Sequence, residues 1–163
     1  CAISWTSCWG RTKMTIRDAR PSDAAKIAAL ERECFSLPWP EEIITTQLSG
    51  PGKIMLAAEE EGAFAGYMGL QYVLDEGYIS NVCTAPEHRR RGVASALIDE
   101  MISRAAALEL AFLSLEVRAS NSPAIALYRG KGFVDVGVRP GYYEKPAEDA
   151  IIMNLYIRKE PQC

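Results

Sequence analysis

The sequence predicts an α+β fold, in which helices cover one mixed sheet. Strand-like and helix-like patterns follow one another in the order β-α-α-β-β-β-α-β-α-β-β, and such mixed runs are typical of α+β proteins. The clearest helix spans residues 92–108, where apolar residues recur on one helical face. We therefore expect a mixed, mostly antiparallel central sheet of about seven strands, flanked by about four helices.

The elements of the first half follow from turn and cap signals. Ser22 and Asp23 can cap a helix, and the proline-rich stretch 37–40 separates it from a second helix that has Pro40 near its first turn. Turn clusters at 49–52 and 61–62 then delimit strands. The expected strands are 15–19, 54–59, 63–73 and 77–83, and the expected helices are 22–35 and 41–48.

The second half alternates between helices and strands. After the helix at 92–108 we expect a strand at 112–117 and a helix at 123–131. Asn121 can cap that helix and Gly132 can end it. The last two strands are expected at 133–138 and 150–157.

Length and composition indicate one globular domain. A chain of 163 residues can bury one sizeable core. The composition, 48% hydrophobic and 24% charged, is typical of globular proteins, and no apolar run approaches the roughly 18 residues that a membrane span needs. The net charge of -3 does not suggest nucleic-acid binding. We expect no nucleic acid and no membrane among the partners.

Residues 1–13 look foreign to the fold. The stretch CAISWTSCWGRTK has no clear period, whereas a strand-like pattern begins directly after it at Met14. We expect residues 1–13 to be a non-native or disordered extension, Met14 to be the natural start, and residues 14–163 to form the domain. The alternative is a genuine N-terminal arm.

The cysteines and the single histidine argue against a metal site. No two of the five cysteines form a C-x-x-C pair and their number is odd, so we expect reduced thiols in a cytoplasmic protein. One histidine and scattered cysteines do not match a zinc site, and we expect no metal. Cys83 and His88 could be read as a nucleophilic pair, but a cysteine in a strand is usually buried and inert.

The strongest chemical signal is the basic, glycine-containing turn at 89–95. It follows a strand and opens a helix, where backbone N–H groups without helical partners and the helix dipole attract anions. Gly92 and Ala94 are small enough for a pyrophosphate to approach the backbone, and the arginines add positive charge. The alternative is a solvated basic turn, and nucleic-acid binding through so short a patch in an acidic chain is disfavoured.

This turn resembles the R/Q-x-x-G-x-G/A signature of the GNAT superfamily of acetyltransferases, with Ala94 in the last position. Within that superfamily the chain resembles the ribosomal-protein-alanine N-acetyltransferases, from Met14 to about Ile157. The resemblance also includes LEVRASN at 115–121, AIALY at 124–128, Gly132-Phe133, GYY at 141–143 and EDAIIM at 148–153. Two features depart from it: the segment between Tyr143 and Glu148 is short, and Pro38-Trp39-Pro40 only partly matches F-P-W-S.

The resemblance implies a GNAT fold, acetyl-CoA as the cosubstrate, and roles for individual residues. Glu116 matches the proton acceptor and Tyr128 the proton donor. Trp39, Tyr142 and Tyr143, expected in loops beside the site, are candidates for contact with the protein substrate. The residues implied or expected to contact the cofactor are Val82, Cys83, Thr84, Arg89, Arg90, Arg91, Gly92, Val93, Ala94, Ser95 and Asn121.

The activity implied is acetylation of the N-terminal amine of a protein, by resemblance the N-terminal alanine of a small-subunit ribosomal protein. A carboxylate can deprotonate the amine and a phenol can protonate the departing thiolate, so no nucleophilic side chain is needed. Other readings stay open: a lysine or small-molecule acetyltransferase, or a non-catalytic acyl-CoA-binding module. Glu116 could also form an ion pair with Arg118 or a neighbour, and Tyr128 could be a core residue.

Overall fold

The computed structural model of the protein describes residues 3–5 and 13–158. These residues form two compact units, which are described separately. The first unit contains the described residues up to 71 and residues 80–101, and the second contains 72–79 and the described residues from 102 onward.

In the first unit, each of the strands β1 to β3 pairs antiparallel with the strand that follows it in the chain. Ladders join β1 to β2, β2 to β3 and β3 to β4, and β5 follows β4 in the sheet order. Its elements are β1 (Ile3–Trp5), β2 (Met14–Asp18), α1 (Ala24–Cys34), α2 (Glu41–Gln47), β3 (Lys53–Glu60), most of β4 (Ala63–Val73), the end of β5 (Glu76–Thr84) and the start of α3 (Val93–Ala107).

The second unit begins its part of the sheet with β5. Glu76–Tyr78 of β5 pair in parallel with Phe112–Ser114 of β6 (Phe112–Arg118). β6 pairs with β8 (Ala147–Tyr156), and β8 pairs with β7 (Val134–Glu144), both antiparallel. Helix α4 (Ser122–Gly130) lies between β6 and β7 in the chain.

The predicted fold class is confirmed. The described residues form eight strands in the order β1-β2-β3-β4-β5-β6-β8-β7, together with four α-helices. Seven of these strands lie in the predicted domain, and the eighth, β1, pairs its Ile3 with Ile16 of β2. The other residues of the expected extension, apart from Lys13, lie outside the described residues. None of the described helices is long and apolar enough to span a membrane.

A cluster of apolar side chains fills the core of the first unit. The buried positions of α1 recur every three or four residues, as expected for an amphipathic helix against a sheet. Each large aliphatic side chain buried there stabilises the fold by roughly 1.5–3 kcal/mol. The cluster consists of Ala24, Ile27, Ala28, Leu30, Ile44, Met55, Tyr67, Cys83 and Ala85.

The start of α1 differs from the prediction in one detail. Asp23 is the N-cap residue, but its side chain makes no cap hydrogen bond to the helix. Its carboxylate instead accepts hydrogen bonds from the Arg20 N–H at 2.7 Å and from the Arg17 guanidinium at 2.7 and 3.0 Å. Arg17 holds the pKa of Asp23 below its usual range, although burial opposes that shift.

The hairpin of β7 and β8 is longer than predicted. Tyr142 and Tyr143 lie in β7 and not in a loop, because Tyr143 pairs with Glu148 and Glu144 with Ala147. The glycines and prolines of this stretch predict a loop from sequence alone. The register shift between Arg139 and Tyr143 accommodates them within the ladder.

The expectation of reduced thiols is wrong for two cysteines. Cys34, the last residue of α1, and Cys83, near the end of β5, form a disulfide. The two are 49 residues apart in sequence. Only the packing of α1 against β5 brings them together, so a search for closely spaced cysteines could not find the pair.

Candidate functional site

The turn before α3 has an open backbone. Arg90 and Gly92 both have left-handed φ values, 62° and 83°, and a Cβ added at Gly92 would meet no atom within 4 Å. The Ala96 N–H donates a hydrogen bond to the Gly92 carbonyl oxygen at 3.0 Å, which is the first helical hydrogen bond of α3. The N–H groups of residues 93–95 come before it and have no acceptor within the helix. This is the arrangement that binds phosphate groups at a helix N-terminus.

A buried carboxylate holds this turn against the end of β3. Glu60 accepts a hydrogen bond from Arg91 at 3.0 Å and contacts His88 Nδ1 at 2.7 Å. Arg91, predicted to contact the cofactor, therefore already has a carboxylate partner. Glu60 was missed by the sequence reasoning, since nothing distinguishes it from its neighbours Glu59 and Glu61.

Val82, Cys83 and Thr84, which the resemblance implies contact the cofactor, lie at the end of β5, beside a glycine of β4. A Cβ added at Gly66 would stand 2.5 Å from the carbonyl oxygen of Cys83, so only glycine lets the two backbones approach so closely. Cys83 is buried and bonded to Cys34, and His88 contacts Glu60. The alternative of a Cys83–His88 nucleophilic pair is therefore wrong.

In the second unit, Glu116 lies in a cluster of cationic and aromatic side chains. Its Oε1 is 3.1 Å from Arg139 Nε, and its side chain is 31% exposed. The Tyr143 hydroxyl donates to the Glu116 carbonyl oxygen at 3.4 Å. The ion pair anticipated from sequence exists, but its partner is Arg139 and not Arg118. We call this group the Glu116 cluster: Glu116, Arg118, Arg139, Tyr142 and Tyr143.

Arg118 holds the far end of the β7–β8 hairpin. Its guanidinium carbon lies 4.1 Å from the centre of the Tyr143 ring, and its NH1 is 3.5 Å from a carboxylate oxygen of Glu148. NH1 also donates to the Pro146 carbonyl at 3.0 Å. Neither Arg118 nor Arg139 was predicted as a site residue: Arg118 lies in the LEVRASN stretch but was given no role there, and Arg139 lies outside the quoted motifs.

Tyr128 lies on α4 and is only 9% exposed. Its ring packs against that of Phe133, with centroids 5.8 Å apart. Burial, with a smaller contribution from Tyr143, raises the pKa of Tyr128 to about 12. The phenol is protonated at neutral pH, as a proton donor must be. Tyr128 is also a core residue, the alternative that the sequence left open.

The remaining predicted residues divide between the two units. Asn121 caps α4 as expected, because its side chain accepts from the Ala124 N–H at 3.4 Å. Tyr142 is half exposed, and burial followed by the charge of Glu116 raises its pKa. Trp39 is partly buried against the core of the first unit. Among the described residues, no group of three or more His, Cys, Asp or Glu side chains could hold a metal ion.

The family follows from comparison with known proteins. Residues 24–133 match the acetyltransferase (GNAT) family model. The chain belongs to the GNAT acetyltransferase family. This match includes the turn before α3, Glu116 and Tyr128. It confirms the predictions of the fold, of acyltransferase activity and of acetyl-CoA as the cosubstrate.

Relatives of this GNAT chain match it over nearly its whole length. It is 34% identical to the ribosomal protein bS18-alanine N-acetyltransferase of Escherichia coli, over 88% of this chain and 97% of the relative. The crystal structure of the ribosomal-protein-S18-alanine N-acetyltransferase from Escherichia coli has a TM-score of 0.83 and 32% identity, covering 91% of this chain and 97% of that one. Arabidopsis thaliana NAA60 in complex with acetyl-CoA shares the fold, with a TM-score of 0.81 at 22% identity, over 88% and 99% of the two chains.

Proposed function

We propose that this protein acetylates the N-terminal amine of a protein, and that the acceptor is the N-terminal alanine of a small-subunit ribosomal protein. The main support is the likeness to an Escherichia coli enzyme named for that reaction, which extends over 97% of the relative. A ribosomal acceptor would be met in the cytoplasm. The reaction needs no nucleic acid and no membrane as a partner.

In this proposal the first unit binds acetyl-CoA. The N–H groups of residues 93–95, at the start of a helix of 15 residues, bind pyrophosphate oxygens. Gly92 leaves that backbone uncovered, and Arg89 and Arg90 add positive charge. Arg91 contributes less directly, because it also pairs with Glu60. The backbone of Val82, Cys83 and Thr84 pairs with the pantetheine arm, and one N–H there polarises the thioester carbonyl.

In the same proposal the second unit supplies the proton transfers. The neutral amine attacks the thioester carbonyl carbon, and Glu116 takes the proton that the nitrogen loses, directly or through water. The carbon–sulfur bond then breaks, and the departing thiolate takes a proton from Tyr128. Tyr128 holds its proton at neutral pH and can supply it, although burial raises its pKa to about 12 and so makes it a weaker acid than an exposed tyrosine.

The basicity of the acceptor favours an N-terminus over a lysine. A free α-amine has a pKa of about 7.7–8.0, so a useful fraction is neutral near pH 7. A lysine side chain, with a pKa of about 10.4, is more than a hundredfold less often neutral at that pH. A single carboxylate base therefore suits an α-amine better.

A mass-spectrometric acetylation assay tests this function. Peptides that begin with alanine or with other residues are compared with N-terminally blocked peptides containing lysine, all with acetyl-CoA. We expect acetylation on the α-amine and a preference for alanine at position one. The variant Tyr128→Phe is assayed beside Tyr156→Phe, which serves as its control because Tyr156 is an exposed tyrosine of the same unit.

Equal turnover of free and blocked peptides would leave a less selective amine acetyltransferase. Binding of acetyl-CoA without turnover of any amine would indicate a non-catalytic module.

A further inference from the structure

One buried carboxylate of the first unit has no part in the reaction as proposed. Among the described residues, the buried acidic side chains are Asp23, Glu31 and Glu60. Asp23 pairs with Arg17, and Glu60 pairs with Arg91. Glu31, only 1% exposed, is instead contacted by neutral donors. A buried carboxylate without a cation is costly to the fold, so its retention calls for a specific explanation.

Three donors converge on Glu31 from different parts of the chain. Its Oε1 accepts hydrogen bonds from the Tyr67 hydroxyl of β4 and from Asn81 Nδ2 of β5, the latter at 2.7 Å. Its Oε2 accepts from the backbone N–H of Trp39 at 2.9 Å. Because the side chain of Glu31 is fixed by Tyr67 and Asn81, the main chain at Trp39 is fixed as well.

The segment held in this way is the connection between α1 and α2, residues 35–40. Leu37 of this segment is 59% exposed, and Ile43 of the following helix α2 is 43% exposed. Trp39 packs its ring partly against the core. Trp39 is also one of the residues expected from the sequence to contact the protein substrate, so the position of this segment bears on acceptor binding.

The end of α1 is also fixed to the part of β5 that is proposed to bind the cofactor. Asn81 directly precedes Val82, and the disulfide joins Cys34 to Cys83. Glu31 therefore links a segment with an exposed apolar surface to the strand proposed to hold the thioester. Glu31 and Cys34, which make these two contacts with β5, lie about one turn apart on α1, within the first unit.

We propose that Glu31 is a positioning residue, whose buried carboxylate fixes the main chain at Trp39 and so presents residues 35–43 to the first residues of the acceptor protein. This inference rests on the proposed N-terminal acetylation. It assigns to Glu31 no contact with the reacting atoms. It predicts that loss of Glu31 impairs acceptor binding and leaves cofactor binding and chemistry intact.

The experiment compares Glu31→Gln with Glu33→Gln. Glu33 is exposed on the same helix, so the second variant makes the same chemical change without touching the network. Backbone exchange of the Trp39 N–H is measured by NMR, together with kcat and with KM for an N-terminal alanine peptide and for acetyl-CoA. We expect exchange and the peptide KM each to rise about tenfold in Glu31→Gln, with kcat and the acetyl-CoA KM within about twofold of wild type. Glu33→Gln should match wild type in all four.

Glu31→Asp serves if the glutamine variant does not fold. It keeps the charge, but its shorter side chain cannot contact Trp39 while it remains bonded to Tyr67 and Asn81, so the same rise in peptide KM is expected. Unchanged Trp39 exchange in either variant overturns the anchoring role. Faster exchange with an unchanged peptide KM overturns the acceptor role, and a fall in kcat alone would make Glu31 part of the chemistry. If the wild type acetylates no peptide, the proposed function fails together with the acceptor role, whereas faster Trp39 exchange still upholds the anchoring.

Discussion

The turn before α3 and the Glu116 cluster are built in opposite ways. The turn presents backbone groups, uses left-handed conformations at Arg90 and Gly92, and is held by the buried carboxylate of Glu60. The Glu116 cluster presents long side chains, and its ion pair to Arg139 is partly exposed to solvent. The turn is fixed by a buried carboxylate, whereas the Glu116 cluster is held by an ion pair that is accessible to solvent.

This difference matches the two kinds of work that the regions are proposed to do. Binding a pyrophosphate needs dipoles that are already in position, and a buried anchor supplies that rigidity. Removing the partner of a buried charge costs about 3–5 kcal/mol, whereas an exposed ion pair contributes about 0–1 kcal/mol. Proton transfer to a carboxylate needs an amine or a water molecule to approach it, which an exposed and adaptable pair allows.

The largest expected effect is that of Glu116→Gln. If Glu116 is the base, this variant loses about 10²–10⁴-fold in kcat near pH 7. Part of the loss should be recovered as pH rises toward about 8, because the α-amine then loses its proton without help. The measurement is a pH–rate series with a free N-terminal peptide. Glu144→Gln, an exposed glutamate of β7, is the control.

The same series distinguishes base catalysis from simple orientation of the substrate. Base catalysis predicts a lower kcat with a modest change in KM, and orientation predicts a raised KM at every pH. The second result would show that the Glu116 cluster, like the turn before α3, acts as a binding site.

Tyr128→Phe is expected to lower kcat by about 10²-fold while acetyl-CoA affinity stays nearly unchanged. The change removes only the hydroxyl, so the packing against Phe133 is kept. Single-turnover kinetics and calorimetry measure the two quantities, and Tyr156→Phe controls for loss of a tyrosine. Wild-type kcat in Tyr128→Phe, where chemistry limits the rate, would leave Tyr128 with a packing role only.

Gly92→Val tests the turn before α3. Valine tolerates a φ of 83° poorly, which costs roughly 1–3 kcal/mol, and its branched side chain would cover the open backbone. We expect acetyl-CoA affinity to fall about 10- to 100-fold by calorimetry. Gly62→Val is a matched control, since Gly62 has a φ of 80° and also has no atom within 4 Å of an added Cβ. Unchanged affinity in a folded Gly92→Val protein would contradict cofactor binding at this turn.

The smallest expected effect concerns stability at alkaline pH. Tyr128 has a folded-state pKa of about 12, above the usual value of 10.0, so the unfolded chain loses this proton first as pH rises. Its contribution to stability is complete below pH 10 and declines above it, by about 1 kcal/mol at pH 11. Urea unfolding at pH 9 and 11 should show a smaller decline for Tyr128→Phe than for wild type. Equal declines would mean that the phenol is not shielded from water.

Local patterns predicted most of the elements but fewer of the contacts. The strand at 63–73 has the predicted bounds, and α3 at Val93–Ala107 ends within a residue or so of the prediction. Amphipathic periodicity and turn residues are local properties, so sequence is enough to find them. The β7–β8 hairpin was predicted too short, because pairing of Tyr143 with Glu148 overrides the loop signals of glycine and proline.

By itself, the sequence determined the α+β class, the family, and the candidate residues in the turn before α3, on β6 and on α4. Only the tertiary structure decided the partners of these residues: Arg139 for Glu116, Glu60 for Arg91, and Cys34 for Cys83. These partners lie 23, 31 and 49 residues apart. Contacts over such distances depend on strand order and register, and these are set by how the faces of the whole chain pack together rather than by any local pattern.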